Sequence, residues 1–336
     1  GPEQGYWLRR LEVELPNIRA ALRWCLDSVE QTDCTTALRL AGALTLFWYG
    51  AGHFVEAERW LQEALARSPA ATAADRAKVL CALGIMTHAQ GDLLHAPPYF
   101  EASLTLYRQL DDPDGAALCL YGLGRLALRQ HDFARTRQLL SESLAVAQAT
   151  GQAYHRPYIM NMLAALAIAE GNYDEAHVRY QDALDAARQL HNLSLIAFIL
   201  TGYGELVRLQ GNYVLALQLY REAMTLAEEL HQKPRRVMLL HNLAYVVLHN
   251  GAPRQARQLF QQCLTLGMEL PDRENFGMCL LGLGGVAVVE GELERAARLF
   301  GAGEQVLGSI GAALAPADQA EYDCYRSLVL AALDPN

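Results

Sequence analysis

The sequence predicts an all-α fold: an α-solenoid, or superhelix, of about seven 40-residue helical hairpins with capping helices at both ends. Three observations predict it. Turn motifs recur at a fixed spacing, apolar columns keep the same register, and β-type alternation is absent. The turn motif runs Gly, then Asn, Asp or Glu, then an aromatic residue or Leu, two further residues and Ala. It occurs as Gly91-Asp92-Leu93…Ala96, Gly171-Asn172-Tyr173…Ala176, Gly211-Asn212-Tyr213…Ala216 and Gly291-Glu292-Leu293…Ala296. Degraded copies are His131-Asp132-Phe133…Thr136 and Gly251-Ala252-Pro253…Ala256. The anchors at 91, 131, 171, 211, 251 and 291 stand 40 residues apart, and Gly52-His53-Phe54…Ala57 lies 39 residues further upstream.

Each unit reads as two helices around its anchor. Upstream, the columns Leu80, Leu120, Met160, Leu200, Leu240, Leu280 and Leu83, Leu123, Leu163, Tyr203, Leu243, Leu283 share one helical face. Next to them runs a small column: Gly84, Gly124, Ala164, Gly204, Ala244 and Gly284. Downstream, Phe100, Leu140, Tyr180, Tyr220, Phe260 and Phe300 mark the second helix. Small residues let the two helices approach where a larger side chain would overpack. The anchor glycine suits a turn with an unusual backbone angle. Prolines 16, 69, 113, 157, 234, 253, 271 and 316 fall at expected helix ends, and Pro97-Pro98 reads as a late helix start.

The division that follows has a remnant of protease cleavage at residues 1–2 and an N-terminal helical linker or cap at 3–35. The repeat array covers 36–310 and a C-terminal capping helix 311–336. In the N-terminal part a short helix ends near Glu14 and a second starts with Pro16 in its first turn, presenting the stripe Leu8, Leu11, Leu15, Ile18, Leu22, Cys25. In the C-terminal part the apolar cluster Tyr325, Leu328, Val329 and Ala332 suits a closing helix.

Composition narrows the function. Of 336 residues 52% are hydrophobic and 19% charged, which supplies an extensive core and excludes disorder. Twenty-eight basic against 37 acidic residues give a net charge of −9, against a nucleic-acid-binding surface. No uninterrupted apolar run reaches membrane-spanning length and no signal peptide can be drawn, so a cytoplasmic protein is expected, with no membrane partner. The seven scattered cysteines, without a CxxC pair, read as reduced core thiols.

The columns resemble the tetratricopeptide repeat over about residues 36–310. The period exceeds the usual 34 residues by six, placed by this reading between one repeat's second helix and the next repeat's first. That longer form resembles the sensor arrays of bacterial STAND-type signal-transduction ATPases, the MalT-like, AfsR-like and LuxR-type regulators. Glu14, Asn17, Arg19, Ala20-Ala21-Leu22 and Trp24 look like the segment that joins the nucleotide module to the repeats in those proteins. The tail from Ala296-Ala297-Arg298-Leu299-Phe300 to Ala317-Asp318-Gln319-Ala320-Glu321-Tyr322 is similar to the end of the same arrays. No phosphate loop of the Gly-x-x-x-x-Gly-Lys-Ser/Thr type occurs, so the chain reads as an input module and the parent's nucleotide-binding module is an expected partner.

Several short motifs resemble chemical sites. Gly122-Leu123-Gly124-Arg125-Leu126-Ala127 and Gly282-Leu283-Gly284-Gly285-Val286-Ala287 satisfy a dinucleotide fingerprint, but in mid-helix and in repeat register, where packing explains them; no cofactor is expected. His241 and His249 lack the convergent partners zinc needs, so no metal is expected either. Cys263 and Cys279 serve as small hydrophobes, and Asp111-Asp112-Pro113-Asp114 reads as a solvated turn. Asn192-Leu193-Ser194 matches a glycosylation acceptor without any sign of secretion. No nucleophile–base set survives, and the protein is expected not to be an enzyme.

The resemblance places the first helix of each repeat on the concave groove. Its inner stripe supplies Tyr121, Arg125 and Arg129, then Tyr158 and Asn161, then Phe198, Thr201, Glu205 and Arg208, and finally His241, Tyr245 and His249. Aromatics interleaved with charge have the composition of a recognition surface; the alternative is packing between neighbouring repeats. The Lys, Asn and Arg set with which some of these arrays hold chaperone tails is incomplete. Two functions follow. The first is a sensor whose groove binds a peptide, protein or small-molecule inducer and controls the nucleotide module. The second is a constitutive protein–protein scaffold.

Overall fold

The computed structural model describes residues 3–149, 155–270 and 273–333; Gly1-Pro2 and Pro271 lie outside them. Among the described residues there are seventeen helices and no strand. A long helix α1 (Gln4–Asp27) precedes a first hairpin of α2 (Gln31–Ala43), α3 (Thr45–Ala51) and α4 (Phe54–Arg67). Five hairpins follow: α5 (Ala73–Ala89) with α6 (Ala96–Gln109), α7 (Pro113–Arg129) with α8 (Phe133–Ala149), α9 (Arg156–Ala169) with α10 (Tyr173–Gln189), α11 (Leu193–Leu209) with α12 (Tyr213–Glu229), and α13 (Lys233–His249) with α14 (Pro253–Gly267). The last hairpin, α15 (Arg273–Val289) with α16 (Leu293–Ser309), is followed by α17 (Pro316–Leu333).

The anchors end each first helix. Gly91, Gly171, Gly211, Gly251 and Gly291 all have φ between 77° and 79°, in the left-handed region that glycine adopts without a Cβ penalty. At Gly171 the N–H donates to the Ile168 carbonyl at 3.0 Å and the Asn172 N–H to the Ala167 carbonyl at 2.8 Å. This pair of bonds closes a helix C-terminus. The Asn172 side chain then accepts from the Glu175 N–H at 3.3 Å and starts α10. One three-residue link therefore ends one helix and caps the next. Asn192, on the apparent glycosylation motif, is the same kind of cap, accepting from the Leu195 N–H at 3.2 Å.

Two expectations are corrected. The extra length of the repeat is not in the link between hairpins, which is as short as Leu190–Asn192; it is in the helices, commonly 17 residues each. Asp111, His191 and His231 take φ of 50°, 48° and 52° in those links, so polar side chains do there what glycine does at the anchors. Likewise α1 is one helix with Pro16 inside it, not two. The expected stripe explains its continuity: Leu15, Leu22 and Cys25 are buried and Leu8, Leu11 and Ile18 pack beside them, so burial on both sides of Pro16 outweighs the lost hydrogen bond. Pro97-Pro98 does start α6 late, at Ala96.

The glycine pairs have a packing cause. A Cβ on Gly124 would lie 2.8 Å from Leu140 of its own hairpin, and one on Gly122 would lie 2.5 Å from Phe100 of the preceding hairpin. Gly284 and Gly282 face Phe300 and Phe260 in the same way. Glycines two apart thus seat the large side chains of two successive second helices.

Candidate functional site

The superhelix closes on itself. Arg9 of α1 donates to the Glu229 carbonyl at 3.5 Å, and Gly52 after α3 lies against Leu270 and Pro234. Arg129 of α7 pairs with Glu274 of α15 and donates to the Ala313 carbonyl at 3.3 Å. The inner faces of α3, α7, α9, α11 and α13 therefore face one another around the superhelix interior, the channel of the array.

Three of the expected residues form an aromatic ladder along it. Ring centroids of Tyr121 and Tyr158 are 6.1 Å apart, and those of Tyr158 and Phe198 6.2 Å. The guanidinium of Arg125 lies 5.7 Å from the Tyr121 centroid at one end, and that of Arg235 lies 4.7 Å from Phe198 at the other. The Tyr49 hydroxyl of α3 is a hydrogen-bond partner of Arg125. Both arginines are half-buried, as are Tyr49, Tyr158 and Phe198.

At the far end α17 forms part of the channel wall. Arg208, its side chain 1% exposed, meets Asp318 at 2.6 Å and Glu321 at 3.5 Å. His241 Nε2 lies 3.3 Å from Asp318, and His249 Nε2 lies 2.8 Å from Glu321 with the Tyr213 ring stacked on it at 4.4 Å. The α17 stripe facing inward is Asp318, Glu321, Tyr322, Tyr325 and Val329. Leu328 and Ala332, expected in the apolar cluster, are exposed, since they lie off that stripe.

The remaining expected residues divide between channel and core. Glu205 is half-buried in the channel and accepts from Asn242 Nδ2 at 3.2 Å; burial, with Asp318 nearby, pushes its carboxyl up. Thr201 donates to the Ala197 carbonyl of its own helix at 2.7 Å, and Asn161 is buried in α9. Tyr245 is a core residue edge-on to His241 and Phe260. Sequence reasoning missed Arg235, Tyr49, Asp318 and Glu321. Met238 lies one helical turn before His241 of the inner stripe and Arg235 one turn before Met238, while Tyr49 stands three residues before its anchor Gly52, so extending the stripe along α13 and to the first hairpin would have found both. Nothing in the repeat register points to the α17 acids.

A closed array of helical hairpins with polar side chains on its inner face defines a tandem-repeat protein. The tetratricopeptide-repeat profile matches residues 75–149 and 195–269, and a second profile of the same description matches 158–194. The chain belongs to the tetratricopeptide-repeat family. Among solved structures it is similar to a Rap protein complexed with competence and sporulation factor, with a TM-score of 0.59 and 13% identity over 89% of this chain and 98% of that one. NprR in complex with its cognate peptide NprX gives 0.56 and 16% over 87% and 83%. The APC/C hetero-tetramer Cut9–Hcn1 gives 0.60 and 15% over 96% of this chain and 57% of that one. At these identities the likeness is one of fold. No curated protein sequence matches the chain. Among the described residues no helix is long and apolar enough to cross a membrane.

Proposed function

We propose that this array is the cytoplasmic sensor module of a bacterial STAND-type signal-transduction ATPase, holding a peptide, protein segment or small-molecule inducer in its channel without turning it over. The observation that carries the reading is the Tyr121–Tyr158–Phe198 ladder, which borders the core and is flanked by half-buried guanidiniums that have no carboxylate partner among the described residues. Two proteins of similar fold, the Rap protein and NprR, are named in complex with a factor or cognate peptide, which supports a peptide ligand. The segment from Glu14 to Trp24 supports attachment to a nucleotide module, and Trp24, 69% exposed on α1, offers that module an apolar contact. Binding would shift the array between arrangements relative to the module only insofar as the ligand prefers one of them.

The experiment is a thermal-unfolding screen of the purified protein against peptides, metabolites and cell-extract fractions. A specific ligand at a hundredfold excess over Kd stabilises by about 2.7 kcal/mol. A peptide or metabolite whose effect is lost in Phe198→Ala supports the sensor. Stabilisation by large-protein fractions alone, indifferent to Phe198, would replace it with the constitutive scaffold. Turnover of any ligand would overturn both.

A further inference from the structure

Three arginines of the channel lie over aromatic rings, and only one of them has been answered by a carboxylate. Arg208 sits 5.0 Å from the Tyr245 centroid and receives Asp318 and Glu321 from α17. Arg125 over Tyr121 and Arg235 over Phe198 repeat the cation-on-ring arrangement. Among the described residues neither has a carboxylate within ion-pair distance. Arg125 has the Tyr49 hydroxyl. Arg235 has a thioether contact, Nη1 to Met238 Sδ at 3.9 Å, and its Nε is buried without a hydrogen-bond partner. Glu205 shares the channel but stays beyond ion-pair distance of both, engaged by Asn242.

We propose that Arg125 and Arg235 are a carboxylate-receiving pair, so that the channel takes a ligand carrying carboxylates beside apolar groups. Arg208 shows what this channel does with a guanidinium on a ring: it accepts acids from a docked segment. A half-buried cation without a counter-charge costs stability, and its retention at both ends of one ladder is accounted for by an anion that arrives from outside. Burial, with a smaller contribution from the Arg125 charge, lowers the Arg235 pKa. An acid beside either guanidinium offsets its burial cost. Ladder steps of 6.1 and 6.2 Å lie close to the roughly 6.6 Å between alternate side chains of an extended chain. An acidic peptide and a free dicarboxylic acid share this chemistry. The assignment rests on the channel being the binding site proposed above.

Isothermal titration of the whole chain tests it with three probes: the tripeptide Glu-Leu-Glu with an acetylated amino end, its Gln-Leu-Gln amide, and glutarate. The acidic tripeptide is expected to bind at least about tenfold tighter than the neutral one, an advantage lost in Arg125→Gln and in Arg235→Gln. Circular dichroism establishes that each variant is folded, and Arg235→Lys, which keeps the charge, retains the preference for acid. Glutarate binding as well as the tripeptide identifies a small acid; the tripeptide alone identifies a peptide. Equal binding of the neutral probe, binding unchanged in both glutamine variants, or no binding of either acidic probe at millimolar concentration overturns the pair. A ligand from the stability screen that is lost in Phe198→Ala but unaffected by both glutamine variants leaves the channel reading standing and removes this one. The absence of any ligand sensitive to Phe198 removes both.

Discussion

Arg208 on α11 and Asp318 on α17, 110 residues apart in the chain, lie 2.6 Å from one another inside the channel. The contact makes the C-terminal helix part of the groove wall instead of a lid over the last repeat. It decides how much of the expected groove remains open, because His241 and His249 turn to the same helix.

Removing one partner of this pair leaves the other buried and unpaired. Asp318→Ala or Arg208→Ala is expected to cost about 3–5 kcal/mol. The double variant Arg208→Met with Asp318→Leu should cost clearly less than the sum of the single ones. Urea unfolding measures the energies. Hydrogen exchange over residues 316–333 should rise in Asp318→Ala before it rises in α5–α8.

The same pair sets an acid limit. Burial pushes the Asp318 carboxyl up, but Arg208 and His241 outweigh it and hold the group well below the carboxylate range. A depressed folded pKa gives stability that is complete above the unfolded value of about 3.9 and lost as pH falls below it. Thermal unfolding should therefore show Tm falling below about pH 4, with a shallower slope in Asp318→Asn. An unchanged slope would mean that the pair contributes nothing to the acid response.

His88 predicts a second, milder window. Burial, then the charges of Arg125 and Arg129, hold its imidazole well below its ordinary value. The unfolded chain takes up a proton near pH 6.5 that the folded chain refuses, so stability falls as pH drops below about 6.5. His88→Gln should flatten Tm between about pH 6.5 and 5. An anion in the channel, by countering Arg125, should reduce the His88 effect as well.

Two glycines should respond in opposite directions. Gly284 faces Phe300 closely, and Gly284→Ala is expected to cost about 1–3 kcal/mol by overpacking. Gly301, in the middle of α16, has nothing within 4 Å of where a Cβ would stand, and Gly301→Ala should gain about 0.5–1 kcal/mol from helix propensity. Chemical denaturation of both variants measures the contrast.

The sequence by itself determined the helical hairpins, their number, their turns and the residues that seat one helix on the next. These are local matters: Gly171 needs its left-handed angle and Gly124 its missing Cβ because of neighbours within one or two repeats, so a 40-residue period records them. Helical spacing also put Tyr121 with Arg125 and Tyr158 with Asn161 on shared helix faces, and the resemblance to tetratricopeptide repeats implied that those faces are the inner ones. Only the tertiary structure decided what those faces meet. How far the array turns before α3 reaches α13 and α7 reaches α15 accumulates from small rotations at every hairpin, and no single residue encodes it. The docking of α17 likewise depends on charges more than a hundred positions apart, Arg208 with Asp318, which share no period. Longer helices and bent links cannot be told apart by counting residues between anchors, because both give the same period; their separation required the backbone.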